Sequence, residues 1–247
     1  MERAPRLISH WFGANPIFER MARVLEHSAR KHCPEWSIEV ERVTPAPRVS
    51  PLGNDSHATN TQKMDEWNAV VQAAPEGDRI LLIDADTMVL LPLDPVWDLE
   101  FDLAYTVKDS RFPFNSGVVF LRVNDRARAF AAAWQAENAR LLNTPTVHRE
   151  WRRQYGGVNQ AALGAMLTNG IVEQLGLQVA KIPCAEWNCE DSTWPLFDRE
   201  RTRIVHVKSA LRRSVFGIGP ATPRLKPLVR VWRLLEREML AQAGGAA

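Results

Sequence analysis

The order of apolar and polar residues along the chain predicts strands that alternate with helices. Short apolar runs and runs of strict alternation predict strands, whereas apolar residues at spacings of three and four predict helices. Seven strands are predicted. One starts at residue 79, and the other six cover residues 6–12, 37–43, 101–107, 114–123, 179–183 and 203–207. The predicted helices cover residues 16–31, 61–74, 124–142, 157–168 and 223–242, and residues 92–99 are predicted to form a turn and a short helix. This alternation predicts an α/β domain with a mostly parallel central sheet.

Turn-forming residues mark the boundaries of these elements. Asn15 and Asn124 stand where an N-cap side chain accepts a hydrogen bond from the first turn of a helix, and Pro16 follows at the first helical position. Residues 44–60 hold three prolines together with Gly, Ser, Asn and Asp, which predicts a loop. A loop of this length suggests a function. Residues 143–155 are polar and basic, and no element is assigned to them.

Two aspartates follow the apolar run that starts at residue 79. Side chains alternate across a strand, so the carboxylates of Asp84 and Asp86 are expected on the same face. Two like charges held that close repel each other, and burial strengthens the repulsion. A cation would neutralise them, and carboxylates suit Mg²⁺ or Mn²⁺ with a diphosphate completing the coordination shell. Ligands bind beyond the carboxyl ends of parallel strands, where this pair stands. The alternative is a turn with two solvated aspartates.

Composition and charge narrow the function classes. The chain of 247 residues is one large domain or two small ones, with 45% hydrophobic and 24% charged residues, as in ordinary globular proteins. A net charge of +2 gives no electrostatic case for nucleic-acid binding. The three cysteines lack the spacing of a disulfide framework or a zinc site, which favours buried thiols. No apolar leader or membrane-spanning run is present, so we expect a reduced, cytoplasmic protein.

The segment Asp84-Ala-Asp86-Thr-Met-Val-Leu90 resembles the DxD motif of nucleotide-sugar-dependent glycosyltransferases with the GT-A fold. Alanine in the middle and threonine behind the second aspartate are similar to the glycogenin-like family 8 enzymes. Four further segments resemble that family's pattern, in the same order, between about Thr61 and Arg212. The first 60 residues match the family in layout only.

The first two of these segments concern the donor. Thr61-Gln-Lys63-Met-Asp-Glu-Trp67 has a lysine where the family carries one on a helix, which implies that Lys63 contacts the phosphate or the sugar of the donor. Phe114-Asn-Ser-Gly-Val118 closely resembles the family's Phe-Asn-Ser-Gly segment. It implies that the Asn115 side chain lies near the donor sugar, with Ser116 beside it, and that Gly117 permits close backbone approach.

The third segment starts a predicted helix. Gly156-Gly-Val-Asn-Gln160 resembles the family's Gly-Gly-Asp-Gln, with an extra valine and with Asn159 where aspartate is expected. An amide forms hydrogen bonds but carries no charge, so the family's role transfers better to Gln160 than to Asn159. Weaker similarities mark Asp109 as an acidic sugar contact and Asn188 as part of a segment near the donor sugar.

The fourth segment follows a strand near the end of the domain. Ile204-Val-His-Val-Lys-Ser209 is similar to the family's His-Phe-x-Gly-x-x-Lys, whose histidine is the third protein ligand of the metal. The resemblance therefore assigns His206 to the metal. Ser209 replaces the family's glycine, and Arg212 occupies the position of its lysine, where it would hold a phosphate with a different geometry.

Together these segments imply a metal-dependent, retaining glycosyltransferase that takes a hexose from a nucleotide-diphosphate sugar, chiefly a UDP-sugar. The metal, Mn²⁺ or Mg²⁺, would be held by Asp84, Asp86 and His206, with Asp84 also able to reach the ribose. Positive charge at the diphosphate would come from Lys63 and Arg212. The residues implied to orient the sugar are Asn115, Asp109, Gln160 and Asn159. No general base or nucleophile stands out, and the acceptor, whether glycan, lipid-linked glycan or protein, is not indicated.

Three other interpretations stay open. A phosphohydrolase of the haloacid dehalogenase type also has DxD at a strand end, but it needs Thr or Val where Met88 stands. A nucleotidyltransferase of related fold would show an early glycine-rich triphosphate loop, and the segment at Gly13 is not one. A degenerate GT-A domain that binds nucleotide or sugar without catalysis fits the changes at Asn159 and Ser209.

The last part of the chain is assigned separately, with residues 1–222 as the glycosyltransferase domain and 223–247 as an amphipathic helix and tail. Apolar residues recur there at helical spacing, and basic residues surround them. This stripe is expected to pack on the catalytic domain. The alternative is peripheral contact with an anionic membrane near a lipid-linked acceptor, although Glu236 and Glu238 dilute the basic charge.

Overall fold

The fold was analysed in a computed structural model, which describes residues 3–46, 51–53, 55–220 and 222–244. Its strands are β1 (Arg6–Phe12), β2 (Ser37–Val43), β3 (Arg79–Ile83), β4 (Thr87–Val89), β5 (Leu103–Val107), β6 (Phe114–Arg122), β7 (Val179–Pro183) and β8 (Ile204–His206). Its helices are α1 (Pro16–His32), α2 (Asp55–Ala73), α3 (Asp125–Asn143), α4 (Pro145–Tyr155), α5 (Asn159–Thr168), α6 (Ile171–Gln174), α7 (Cys184–Trp187), α8 (Ser209–Val215) and α9 (Lys226–Gly244). Single 3₁₀ turns cover Asp94–Asp98 and Trp194–Leu196.

Six strands form the central sheet in the order β2-β1-β3-β6-β5-β7. The pairs β1–β2, β1–β3 and β5–β7 are parallel, and β6 runs antiparallel to both of its neighbours. The predicted α/β class and mostly parallel sheet are therefore confirmed. The short strands β4 and β8 pair antiparallel in a separate ribbon. Because β6 is reversed, its first residues lie at the same edge of the sheet as the last residues of β3 and β5.

Side-chain alternation divides the core between the two faces of the sheet. In β3, Ile80 and Leu82 pack with α2, α3 and α5, whereas Leu81 and Ile83 pack with α1 on the opposite face. A strand buried on both faces needs a continuous apolar run, and β3 has one. The aspartates that follow this run therefore emerge from the core at the edge of the sheet.

One predicted boundary is wrong, and one helix has no counterpart among the predicted elements. Helix α2 starts at Asp55, so residues 55–60 of the predicted loop are helical, whereas residues 47–50 and 54 lie outside the described part. Its polar first turns have low helix propensity and are held by tertiary contacts, such as the 5.2 Å edge contact of the His57 ring with the His148 ring. Residues 145–155, for which the sequence predicts no element, form α4. Its apolar residues recur every four positions and pack on the core: Val147, Trp151 and Tyr155.

Other local predictions are confirmed. Asn15 Oδ1 accepts a hydrogen bond of 3.0 Å from the Ile17 amide, and Asn124 Oδ1 accepts one of 2.8 Å from the Ala127 amide. Each N-cap therefore satisfies an amide that has no partner within its helix. All three cysteines are free and buried, as expected for thiols that fill the core.

The C-terminal helix α9 packs on α1 and α8, as its apolar stripe predicts. Leu228, Trp232 and Leu235 are buried in a cluster that also contains Met21 and Val24 of α1. Trp232 is fully buried. None of the described helices combines the length and the apolar character needed to span a bilayer.

Candidate metal centre

Hydrogen bonding between β4 and β8 brings the predicted metal ligands together. His206 is the last residue of β8 and stands opposite Thr87 in the register of the ribbon. The Val207 amide donates a hydrogen bond of 2.6 Å to the carbonyl of Asp86, and the Asp84 amide donates one of 2.8 Å to the carbonyl of Gly117. The backbone of both aspartates is thus tied to neighbouring strands, so their carboxylates are directed to one place.

The aspartates do not stand on a strand, which corrects the alternation argument. Strand β3 ends at Ile83 and β4 starts at Thr87, so Asp84 and Asp86 occupy a turn. The Thr87 hydroxyl donates a hydrogen bond of 2.8 Å to the Asp84 carbonyl and closes this turn. The two carboxylates converge because the turn folds back towards His206, and not because residues alternate along a strand.

The three side chains form a group able to hold a metal ion. His206 Nε2 lies 3.1 Å from Asp86 Oδ1 and 3.8 Å from Asp84 Oδ2. One ligand atom from each residue lies within 4.8 Å of the other two. Carboxylate oxygens suit Mg²⁺ and Mn²⁺, and a single imidazole nitrogen favours a transition metal over Mg²⁺. The donor set therefore fits a divalent cation.

A basic side chain contacts each carboxylate. Lys63 Nζ forms an ion pair with Asp84, and Arg212 forms one with Asp86. Lys63 also lies 4.3 Å from the centre of the Trp67 ring. Burial disfavours the charged form of Asp86, but His206 and Arg212 outweigh it and hold the pKa of that carboxyl below its usual range. The carboxylate is therefore ionised at neutral pH.

The two aspartates and their basic partners border a cavity of about 500 Å³ at the edge of the sheet. Its walls come from the end of β1, the first half of α2 and the β3–β4 turn, and they include His10, Trp11, Phe12, Phe18, Asn60, Lys63, Asp84, Asp86 and Arg212. A wider depression of about 690 Å³ lies between α1 and α9, but its walls are mostly long charged side chains on the surface. The smaller cavity combines aromatic surface with convergent charges, which is the usual composition of a ligand site.

The Phe-Asn-Ser-Gly segment forms the start of β6, beside the metal group. Asn115 and Ser116 are buried, and Asn115 Oδ1 accepts hydrogen bonds from the Gly117 amide at 2.8 Å and from Asn188 Nδ2 at 2.9 Å. A Cβ atom at Gly117 would lie 2.5 Å from Asp84 Oδ2 and 2.8 Å from His206 Cε1. Glycine is required at this position because the carboxylate and the imidazole occupy the space of a side chain.

Three of the residues predicted to orient the sugar do not contact the metal group in the described part of the chain. Gln160 Nε2 donates to the carbonyl of Tyr155, and Asn159 is buried with its side-chain oxygen unpartnered among the described residues. Asp109 is exposed in the loop between β5 and β6. Within the described ranges, none of these three side chains has a recorded hydrogen bond or ion pair with the metal group.

The backbone explains how serine replaces glycine after the histidine. Ser209 has φ of +47°, in the left-handed region that glycine adopts most easily. Its hydroxyl donates a hydrogen bond of 2.8 Å to Asp191 Oδ2, which anchors the turn. The turn that brings Arg212 to Asp86 is therefore retained without the glycine.

A buried ion triad beside the site was missed in the sequence. The Glu190 carboxylate contacts Lys108 Nζ and lies 2.7 Å from Lys208 Nζ, and its side chain is only 2% exposed. Burial disfavours its ionised form, but the two lysines outweigh burial and lower its pKa to about 2. The available signal was spacing, because Glu190 and Lys208 each follow a predicted site residue, Asn188 and His206, by two positions.

Comparison with solved structures identifies the fold. A glycosyltransferase involved in glycosylation of the major capsid of PBCV-1 matches with a TM-score of 0.58 and 15% identity, over 84% of this chain and 95% of that chain. The glycosyltransferase GlyE of Streptococcus pneumoniae matches with a TM-score of 0.57 and 12% identity, over 98% of this chain and 64% of that chain. The galactosyltransferase LgtC, solved with donor and acceptor sugar analogs, matches with a TM-score of 0.51 and 13% identity, over 94% and 95%.

These matches show a glycosyltransferase fold of the GT-A type. No protein-family model matches the chain, and no curated protein matches it. Membership of family 8 therefore stays a prediction.

Proposed function

We propose that this protein is a metal-dependent, retaining glycosyltransferase that moves a hexose from a UDP-sugar to an acceptor. The observation that carries the proposal is the convergence of Asp84, Asp86 and His206 beside a cavity whose other charged walls are Lys63 and Arg212. Two carboxylates and an imidazole suit a divalent cation, and two basic side chains suit a diphosphate. The GT-A fold supports a nucleotide-sugar donor by analogy.

The ion pairs of the site suggest how the donor is received. Lys63 and Arg212 are each paired with one of the two aspartates. A cation held by Asp84, Asp86 and His206 would compete for those carboxylates, and both basic side chains would then be available to the diphosphate. Such a cation supplies positive charge that stabilises the departing diphosphate. Lys63 and Arg212 therefore already lie in the cavity, and they need to move little to exchange an aspartate for the diphosphate.

The residues at the start of β6 and α5 are proposed to hold the sugar. Asn115 Oδ1 is occupied by two donors, so its amide nitrogen is the group left for a sugar hydroxyl. The buried, unpartnered oxygen of Asn159 is a second candidate. Gln160 and Asp109 complete the proposed set. Front-face attack, with the leaving phosphate taking the acceptor's proton, agrees with the absence of an assigned base.

A thermal-shift experiment with UDP and Mn²⁺ tests the metal site. A ligand at 100 times its dissociation constant stabilises the native state by about 2.7 kcal/mol, which raises the melting temperature by about 5–11 °C for a domain of this size. We expect this shift in wild type, its loss with a chelator, and its loss in Asp86→Ala. The matched control is Asp125→Ala, because Asp125 is fully exposed at the start of α3. An Asp86→Ala variant that binds UDP and Mn²⁺ like wild type would refute the assignment.

Hydrolysis and transfer assays separate catalysis from binding. We expect slow, metal-dependent hydrolysis of a UDP-hexose and, with an acceptor library, a product whose anomeric configuration by NMR equals that of the donor. Inversion would contradict the retaining mechanism. Tight binding of UDP without any hydrolysis or transfer would instead favour a degenerate binding domain, and release of pyrophosphate from a nucleoside triphosphate would favour a nucleotidyltransferase.

Peripheral contact with an anionic membrane is a second proposal, and the orientation of α9 favours it. Glu236 is buried and pairs with Arg20, and Glu238 faces Lys31 and His27 of α1. The acidic residues that dilute the basic charge in the sequence are thus turned towards the protein. The exposed side chains among the described residues of α9 include no acidic one: they are the basic Lys226, Arg230, Arg233 and Arg237, together with Pro227, Leu234, Leu240, Ala241 and Gln242.

Vesicle sedimentation tests this contact. A basic residue near an anionic surface contributes about 1 kcal/mol, so replacing Arg230, Arg233 and Arg237 by serine should weaken binding to vesicles with phosphatidylglycerol by about 100-fold. The control replaces Arg23 and Arg30, exposed residues of α1 that form ion pairs within that helix. Equal sedimentation of wild type and the triple variant at low salt would refute the proposal.

A further inference from the structure

His206 contacts Asp84 and Asp86 directly. A chain of hydrogen bonds through two side-chain amides also connects its imidazole to Asp84. His206 Nδ1 lies 3.1 Å from Asn188 Oδ1, and Asn188 Nδ2 lies 2.9 Å from Asn115 Oδ1. Asn115 Oδ1 also accepts the Gly117 amide at 2.8 Å, and the Gly117 carbonyl accepts the Asp84 amide at 2.8 Å. This hydrogen-bonded relay therefore begins at one candidate metal ligand and ends at another.

The backbone amide of Gly117 sets the direction of every hydrogen bond in the relay. A backbone N–H only donates, so the Asn115 atom that faces it is an oxygen. The Asn188 atom that faces the same oxygen must then be its nitrogen, which leaves the Asn188 oxygen towards the imidazole. An amide oxygen only accepts, so Nδ1 of His206 carries a hydrogen. The assignment of both amides and of the imidazole nitrogen follows from one unambiguous donor.

The burial of Asn188 excludes direct contact between its side chain and a ligand. Asn188 is 0% exposed, so its side chain cannot touch a donor sugar. Thr106 Oγ1 lies 3.4 Å from Asn188 Nδ2, and the parallel bridge between Cys189 and Val205 holds the segment against β8. The Lys108–Glu190–Lys208 triad fixes the same segment two residues later. The segment that carries Asn188 is therefore held by contacts on several sides, as a positioning function requires.

We infer that Asn188 is a positioning residue, which holds hydrogen-bearing Nδ1 of His206 and thereby presents Nε2 to the metal between Asp84 and Asp86. Histidines that bind metals donate their other ring N–H to such a partner, and loss of the partner lowers metal affinity or activity by about 10–100-fold. The inference rests on the proposed metal-dependent function. It assigns to Asn188 a role in the metal site, in place of the sugar contact that the sequence resemblance suggests.

Two measurements test this inference. In the first, Mn²⁺ binding in the presence of UDP is followed by electron paramagnetic resonance in wild type, Asn188→Leu and Asn124→Leu. We expect about 10–100-fold weaker Mn²⁺ binding in Asn188→Leu only. Asn124→Leu is the matched control, because this residue caps α3 beyond the opposite end of β6 and should lose stability without losing metal affinity.

In the second, ¹⁵N and ¹³C NMR of labelled histidine in the complex with UDP and Mg²⁺ identifies the nitrogen of His206 that carries hydrogen. A His206→Gln variant assigns the signal. Hydrogen on Nδ1 is expected, and hydrogen on Nε2 in wild type would overturn the inference even if Asn188→Leu does not fold. Equal Mn²⁺ affinity of a folded Asn188→Leu and wild type would also overturn it. A wild type that binds neither metal nor UDP would instead refute the proposed function on which it rests.

Discussion

Gly117→Ala should disable the metal site with a single methyl group. The new Cβ would lie 2.5 Å from Asp84 Oδ2, 2.8 Å from His206 Cε1 and 2.9 Å from Asn115 Oδ1. Non-bonded heavy atoms need about 3.5 Å, so the carboxylate must move by about 1.0 Å and the imidazole by about 0.7 Å. Metal sites tolerate distance changes of only about 0.2 Å, so we expect at least about tenfold weaker Mn²⁺ binding.

The same substitution should lower stability by a calculable amount. Overpacking in a core costs about 1–3 kcal/mol, which for a domain of this size lowers the melting temperature by about 2–12 °C. The assay is a thermal melt with and without UDP and Mn²⁺, together with calorimetric titration of the metal. Gly219→Ala is the matched control, because its Cβ would meet only Arg213 Cβ at an ordinary 3.6 Å. A Gly117→Ala variant that binds Mn²⁺ and UDP as wild type does would refute the reasoning.

Three further predictions address other parts of the molecule. Because the folded-state pKa of Glu190 is about 2, below its ordinary 4.5, its contribution to stability is complete above about pH 5 and is lost as the pH falls towards 2. At 1.36 kcal/mol per pH unit this is about 3 kcal/mol, so urea unfolding at pH 6 and pH 3 should show a smaller pH dependence in Glu190→Gln than in wild type. Trp232→Ala should cost about 3–5 kcal/mol by urea unfolding, because the side chain is fully buried between α9 and α1; a loss below about 1 kcal/mol would contradict that packing. Asn159→Asp should fold, because the first turn of α5 favours a negative charge. The variant should also raise transfer activity or change the choice of acceptor. Loss of the folded state, followed by circular dichroism, would instead show that Asn159 has a structural role.

The sequence by itself determined the class of fold and singled out the three residues that the structure brings together as a candidate metal group. The apolar run of β3, buried on both faces, and the caps at Asn15 and Asn124 are local signals that tertiary contacts did not change. The pairing of two aspartates with a distant histidine came from the resemblance to the glycogenin-like family, whose motifs follow the same order along this chain. The apolar stripe of α9 likewise predicted its packing. The fold class, the helix caps and the apolar stripe depend on local chemistry and periodicity, which a single chain carries explicitly.

Only the tertiary structure decided how these residues act together. The turn at Asp84 and Asp86, the reversed direction of β6 and the early start of α2 depend on contacts between distant segments, which override local propensity. The relay through Asn188 and the triad around Glu190 join residues between 18 and 82 positions apart in direct contact, so these contacts depend on the fold and not on local periodicity. The direction of Glu236 and Glu238 towards α1 likewise required knowledge of which face of α9 is buried. Long-range packing, which sequence periodicity does not encode, converts individual candidates into a site.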